Sequence, residues 1–226
     1  MKGLLRKDLA LVAVNAKTYL VVLFFVAVWM FTTVKGGEIS YFGSIYMIVV
    51  FGFVGLGTIT SDEQNGALGF LMTLPVKRSD YVKEKYLLCV MYIACGWALS
   101  VILSAVIYRG RIFAGDEPFV IISILYMLAA VILVFLMIPI NFRFGPEVAR
   151  IVLFGVFAAI VLGVVAGLYL LEKIIPDHSY FDKIAEMINA VTAGQLLLGF
   201  LAVLAVEGIV SYLYSHRVIK RKEFRK

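Results

Sequence analysis

The sequence contains few of the residues on which catalytic and metal sites are built. It has two cysteines and two histidines among 226 residues, and their spacing matches no common metal-binding motif. The phosphate-binding pattern G-x-x-x-x-G-K-[ST] and the nucleophile pattern G-x-S-x-G are both missing. These absences argue against an enzyme, against a metal or other cofactor site, and against a chain that binds ATP by itself.

Charged residues are also scarce and unevenly spread. They make up 16% of the chain, whereas hydrophobic residues make up 62%, above the roughly 45–50% of a soluble domain. Six intervals of 17 to 25 residues carry no charge, and about 20 apolar residues suffice for a helix to cross a bilayer. The sequence therefore predicts an all-α integral membrane protein, a single domain over residues 1–226 with six transmembrane helices. The predicted spans are about 18–34, 39–60, 86–108, 118–141, 151–171 and 190–214.

Lysine and arginine alternate in number between the segments that join these spans. Sixteen lie in four alternate segments, which include both termini, and five lie in the other three. Because basic residues collect on the cytoplasmic side, both termini and the segment 61–86 are expected there. The segment 1–17 is too charged to span and is predicted to be an interfacial helix. The basic tail 215–226 is interpreted as an orientation signal near anionic lipid, with a docking role as the alternative.

The segment 61–86 is the longest polar interval between two hydrophobic runs. Eight of its 26 residues are charged. Ser61 and Gln64 are spaced as a capping box, which predicts a helix that begins at Ser61 with acids in its first turn. Pro75 would end that helix, because the residue before a proline disfavours helical backbone. A short, half-apolar helix of this kind is typical of a docking element, although it could also pack on its own bundle and on lipid headgroups.

The fifth predicted span carries a continuous stripe of small residues. Gly155, Ala159, Gly163 and Gly167 stand four apart. Small residues let helices approach closely in lipid, where no hydrophobic drive joins them. The stripe predicts a tight seam, either within this chain or with a second subunit.

Glu207 is the one charged residue inside a predicted span. It lies seven residues before Tyr214, about 10 Å from the end of the span. Acidic residues within a membrane are costly and face a bundle interior or a wet cavity. Glu207 could therefore bond to a neighbouring helix, reach interfacial water, or line a transport path.

Four stretches, in this order along the chain, resemble those of the ABC-2 type permease family. Within that family they are similar to small six-span subunits, which include exporters of antimicrobial and amphipathic peptides. The stretches are LLRKDLALVAVNAKTYL (4–20), DEQNGALGFLMTLPVKRSDYVKEKYL (62–87), PINFRFGPEVAR (139–150) and SYLYSHRVIKRKEF (211–224). Each motif is weak alone, but the four in order are fairly specific.

The resemblance implies the membrane subunit of an ATP-driven exporter in the plasma membrane of a prokaryotic cell. Such a permease forms a homodimer or heterodimer with a second permease subunit. ATP and Mg²⁺ are bound by separate ATPase subunits, so this chain itself would bind no cofactor. The implied substrate is an amphipathic or hydrophobic peptide or drug-like molecule, with polysaccharide export left open. An ATP-independent secondary transporter or a membrane scaffold is the alternative function.

The resemblance also implies that the helix after the second span is a coupling helix seated in a groove of the ATPase. Its residues would make apolar contacts inside a polar rim. The apolar contacts would be Leu68, Phe70, Leu71, Met72 and Leu74, and the rim would be Asp62, Glu63 and Arg78.

Overall fold

The computed structural model of the protein describes residues 2–33, 41–64, 69, 77–108, 119–174 and 192–221. These residues are almost entirely helical, and no strand occurs among them. Seven helices follow one another along the described chain. They are α1 (Lys2–Val14), α2 (Ala16–Thr33), α3 (Tyr41–Gln64), α4 (Arg78–Ile107), α5 (Phe119–Phe144), α6 (Pro146–Ile174) and α7 (Ala193–Arg221). The all-α membrane fold predicted from the apolar runs is therefore confirmed.

Five of these helices, α3 to α7, are long and apolar enough to cross a bilayer. The pair α1 and α2 would add a sixth span if the two cross together, with a bend of 64° between them. The bend falls at Asn15, whose side-chain amide donates to the carbonyl oxygen of Leu11 at 3.2 Å. The first helix therefore turns into the second at an elbow, and Leu4 and Asp8 of α1 are buried.

Helices α3, α4 and α5 pack together at the centre of the molecule. Helix α7 packs on α5 and α4, α2 packs on α3 and α4, and α6 packs mainly on α5. The central contacts are mainly aliphatic, with Tyr81, Tyr86 and Phe142 also buried among them. The largest buried cluster includes Ile48, Leu56 and Ile59 of α3, Val82, Cys89 and Ile93 of α4, and Val131, Val134 and Ile138 of α5.

Helices α3 and α4 approach closely where Gly55 faces Cys89. A Cβ atom at Gly55 would lie 2.9 Å from the Sγ of Cys89 and 3.0 Å from its Cα. A Cβ at Gly57 would meet no described atom within 4 Å. The missing side chain at Gly55 is thus what allows this pair of helices to pack so tightly.

A single residue, Gly145, joins α5 to α6. Its φ of +84° lies in the left-handed region that favours glycine, and its N–H donates to the carbonyl oxygen of Asn141 at 3.0 Å. Pro146 then begins α6, at the first helical position where a missing N–H costs nothing. One residue therefore separates two long helices.

Candidate functional site

The helix predicted to begin at Ser61 does not begin there. Helix α3 continues through Ser61 and ends at Gln64, so the predicted capping box is wrong and Asp62 and Glu63 lie in the last turn of a long helix. The helix dipole disfavours acids at that end, which means that contacts from elsewhere in the fold must offset the cost. The predicted apolar docking residues lie outside the described residues. They are Leu68, Phe70, Leu71, Met72 and Leu74.

A buried ion cluster, formed by Lys7, Asp8, Asp62, Glu84 and Lys85, joins the two ends of the segment 65–76. The Nζ of Lys85 lies 2.8 Å from Oδ2 of Asp62 and also pairs with Oδ2 of Asp8. The Nζ of Lys7 lies 3.0 Å from Oδ1 of Asp8 and also pairs with Asp62. The side chains of Lys85 and Asp8 are 0% exposed. The cluster therefore ties α1, α3 and α4 together in the interior.

Neutral groups add further contacts to the cluster. Lys85 donates to the hydroxyl of Thr58 at 3.3 Å, and the hydroxyl of Tyr81 donates to Asp62 at 3.2 Å. The Tyr81 ring lies 6.0 Å from the ring of Phe142, measured between centroids, which extends the contact to α5. These bonds offset part of the cost of burying the charges, whereas Oδ1 of Asp8 and both carboxylate oxygens of Glu84 have no hydrogen-bond partner among the described residues.

Glu84 is the least closely paired member of the ion cluster. It is 1% exposed, and its Oε2 lies 4.0 Å from the Nζ of Lys85. Counting side chains, the cluster holds three acids and two bases. Lys85 is thus the one fully buried base that faces all three carboxylates, and it is the member whose loss would leave most charge uncompensated.

Arg78, at the start of α4, binds the end of α7. Its Nη1 donates to the carbonyl oxygens of Ile219 at 3.0 Å and Lys220 at 2.7 Å. Carbonyls in the last turn of a helix have no partner within that helix, so the guanidinium caps α7. Arg78 therefore fixes the second end of the segment 65–76 to α7.

The three residues predicted as a polar rim are not equally placed. Asp62 is 2% exposed and belongs to the ion cluster, whereas Glu63 and Arg78 are half-buried. The role of these three residues in a polar rim stays a prediction, and the carboxylate of Asp62 is already paired with Lys85 within this chain. Asp62 and Arg78 lie on either side of the segment 65–76, Asp62 near the end of α3 and Arg78 at the start of α4.

Tyr86 makes a second polar link between α4 and α7. Its hydroxyl hydrogen-bonds with Ser215 at 2.9 Å and with Ser211, both on α7. The Tyr86 ring meets that of Phe135 edge-on, at 5.0 Å between centroids. Helix α4 thus contacts α1 and α3 through ions and α7 through hydroxyl groups, all near one end of the bundle.

Glu207 lies in an open groove of about 790 Å³ between α5 and α7. The walls are mostly aliphatic. They include Leu136, Pro139, Ile140, Val203, Val206 and Val210. Both carboxylate oxygens of Glu207 are buried and have no hydrogen-bond partner among the described residues. The groove is therefore apolar, and Glu207 lies in its wall with both carboxylate oxygens buried.

The small-residue stripe of α6 faces outward. Gly155, Ala159 and Gly163 are exposed, and a Cβ at Gly155, Gly163 or Gly167 would meet no described atom within 4 Å. Large side chains on the same helix, such as Phe154 and Phe157, are also about two-thirds exposed, at 70% and 67%. No described part of this chain packs against the stripe.

Sequence reasoning missed Asp8 and Lys85 as members of a site. Each looked like one more charge in a charged segment, and 77 positions separate them. A faint signal was available: Asp8 is the only acid among the first 37 residues, whose other charged residues are all lysine or arginine. Among the described residues, no group of three or more His, Cys, Asp and Glu is placed to hold a metal ion.

Comparison with known proteins defines the class. A family model described as ABC-2 family transporter protein matches residues 3–220, nearly the whole chain. The chain therefore belongs to this family, and it is a multi-pass membrane protein and a permease component of an ABC-type transporter. Membership of the family implies association with ABC ATPase subunits. Searches of curated proteins and of solved structures find no match.

Proposed function

We propose that this permease exports an amphipathic or hydrophobic molecule, driven by separate ATPase subunits that dock on the segment between α3 and α4. The observation that carries the proposal is the buried ion cluster at the root of that segment. A movement that the ATPase imposes on the segment between α3 and α4 would be transmitted to Asp62 at one end and to Arg78 at the other. From there it would pass to α1 through Lys85 and to α7 through the bonds of Arg78.

This anchoring supports the coupling role that we propose for the segment between α3 and α4. Leu68, Phe70, Leu71, Met72 and Leu74 would supply the apolar contact with the ATPase. Glu63 would remain at the rim, while Asp62 would anchor the loop to the bundle instead of touching the partner. ATP and Mg²⁺ would be bound by the ATPase, and this chain would bind no cofactor of its own.

The orientation and location complete the proposal. Both termini and the loop would lie in the cytoplasm, as the distribution of lysine and arginine favours. The plasma membrane would be the site of export. A second permease subunit, identical or related, would pack on the exposed stripe of α6, because small residues allow close helix contact in lipid.

A detergent pull-down of the tagged chain tests the docking role. Wild type is compared with Leu71→Asp/Leu74→Asp and with Glu147→Lys, an exposed charge change at the start of α6. An ATPase subunit retained by wild type and by Glu147→Lys, but lost by the double variant, is the expected result. A folded chain that returns alone and moves substrate without ATP would instead establish a secondary transporter.

A further inference from the structure

The groove between α5 and α7 has the form of a small-molecule site. Its volume of about 790 Å³ falls within the range of about 300–1,000 Å³ typical of ligand pockets. The walls are aliphatic, and the end near Tyr214 and Phe144 is aromatic. Apolar walls of this kind can bind the apolar part of a ligand but do not fix its orientation. The polar groups of the groove must therefore determine which ligand is preferred.

Among the described residues, Glu207 differs from the other buried carboxylates in having no basic side chain beside it; Glu84 likewise lacks hydrogen-bond partners but lies 4.0 Å from Lys85. Asp8 and Asp62 are each paired with two lysines. Both oxygens of Glu207, in contrast, are buried with neither a hydrogen-bond partner nor a basic side chain within 4.0 Å among the described residues. A carboxylate in apolar surroundings is costly unless a positive charge lies beside it. Among the described residues nothing compensates a charge on Glu207, so its carboxyl group is neutralised either by a proton or by a cation from outside.

The remaining polar groups around the groove are already engaged. The hydroxyl of Ser211 donates to the carbonyl oxygen of Phe135. Arg143, the nearby base, donates to the hydroxyl of Tyr214 and lies 4.8 Å from the centroid of the Phe144 ring. Arg143 is thus held among the aromatic groups at one end of the groove and forms no ion pair with Glu207.

From these observations we propose that the groove binds a monovalent organic cation with a bulky apolar body, whose charge rests against Glu207. The proposal deepens and rests on the proposed export function, since it names the class of substrate. A ligand of this class would reach the groove from the bilayer, because the groove is open along the side of the helix pair. An anion of the same shape would be rejected by the uncompensated carboxylate.

The test uses two rigid probes of nearly equal size and opposite charge, tetraphenylphosphonium and tetraphenylborate. Equilibrium binding is measured on the full chain in lipid nanodiscs, without an ATPase, so that the result does not depend on docking or transport. Glu207→Gln removes the charge, and Glu147→Gln removes an exposed carboxylate elsewhere. Ala202→Trp fills the groove, whereas Ala205→Trp adds the same bulk to an exposed position of α7 outside the lining.

Wild type should bind the phosphonium and not the borate. Glu207→Gln should weaken phosphonium binding about tenfold or more, since a buried charge loses its partner, and Glu147→Gln should not. Ala202→Trp should abolish binding, and Ala205→Trp should leave it unchanged. Equal binding of the two probes, or affinity untouched by Glu207→Gln, would overturn the proposal and leave the groove to lipid chains or a second copy. Phosphonium binding that depends on Glu207, in a chain that captures no ATPase, would support the site and reject the export function.

Discussion

The ammonium group of Lys85 lies 2.8 Å from the carboxylate of Asp62, and this ion pair closes the base of the segment between α3 and α4. Asp62 is in the last turn of α3, and Lys85 is two turns into α4. The same ammonium contacts Asp8 of α1. One buried lysine therefore holds together the two roots of the proposed coupling loop and the N-terminal helix.

Replacing Lys85 with methionine should destabilise the protein strongly. Its loss leaves Asp8 and Asp62 buried with less compensating charge, a defect that typically costs about 3–5 kcal/mol. The measurement is unfolding by SDS titration of the purified chain. Lys83→Met, which removes an exposed lysine two residues away, should change the free energy of unfolding by less than about 0.5 kcal/mol.

A double-mutant cycle separates the ion pair from general effects of the substitution. Because Asp62 and Lys85 are in direct contact, the variant Asp62→Asn/Lys85→Met should lose less stability than the two single losses added together. Strict additivity, or a Lys85→Met variant as stable as Lys83→Met, would show that the pair does not hold the helices.

Arg78 should control the order of the end of α7. Arg78→Ala removes the donor that satisfies the carbonyls of Ile219 and Lys220, so the last turn should fray. Amide hydrogen exchange over residues 211–221 should become several-fold faster, about tenfold for each 1.4 kcal/mol of local stability lost. The exposed neighbour Lys77 provides the control: exchange that rises equally in Lys77→Ala would argue against a specific cap.

The helices could be predicted from the sequence because their signal is local. Long runs without charge are a property of consecutive residues, and bilayer thickness sets their length. Two breaks between helices can also be predicted from nearby residues. Charged residues precede the apolar run at the elbow after α1, and the Gly145–Pro146 pair interrupts the apolar pattern between α5 and α6. The structure accordingly has five helices, α3 to α7, that are long and apolar enough to cross a bilayer.

The ion cluster could not be predicted in this way. The spacing of Ser61 and Gln64 matches a capping box, and an acid such as Asp62 is favoured in the first turn of a helix, so the sequence predicts a helix that begins at Ser61. Asp62 instead lies in the last turn of α3, where the helix dipole disfavours a negative charge. This position is tolerated because Lys7 and Lys85, which are 55 and 23 positions away in the sequence, compensate the charge of Asp62. Pairing over such distances depends on how the helices pack, which no spacing in one sequence reveals.

Gly55 should tolerate substitution far less than Gly57. A side chain at Gly55 would collide with the backbone of Cys89, whereas one at Gly57 meets open space among the described residues. Gly55→Leu should cost about 1–3 kcal/mol through overpacking, or separate α3 from α4 altogether. Gly57→Leu should remain near wild type in the same SDS titration, and equal losses in both variants would contradict a close contact at Gly55.

The stripe on α6 should lie at a contact between two permease subunits. In a Cys95→Ser background, which keeps the buried Cys89, Gly163→Cys should form a disulfide-linked dimer in membranes under mild oxidation. Val165→Cys is the control, because a residue two positions on points about 200° away around the helix and is also exposed, at 58%. Small residues let two backbones approach within disulfide reach, so cross-linking should be confined to the stripe. Chains that stay monomeric at position 163, or that link equally at 165, would assign the exposed stripe to lipid or to a different subunit.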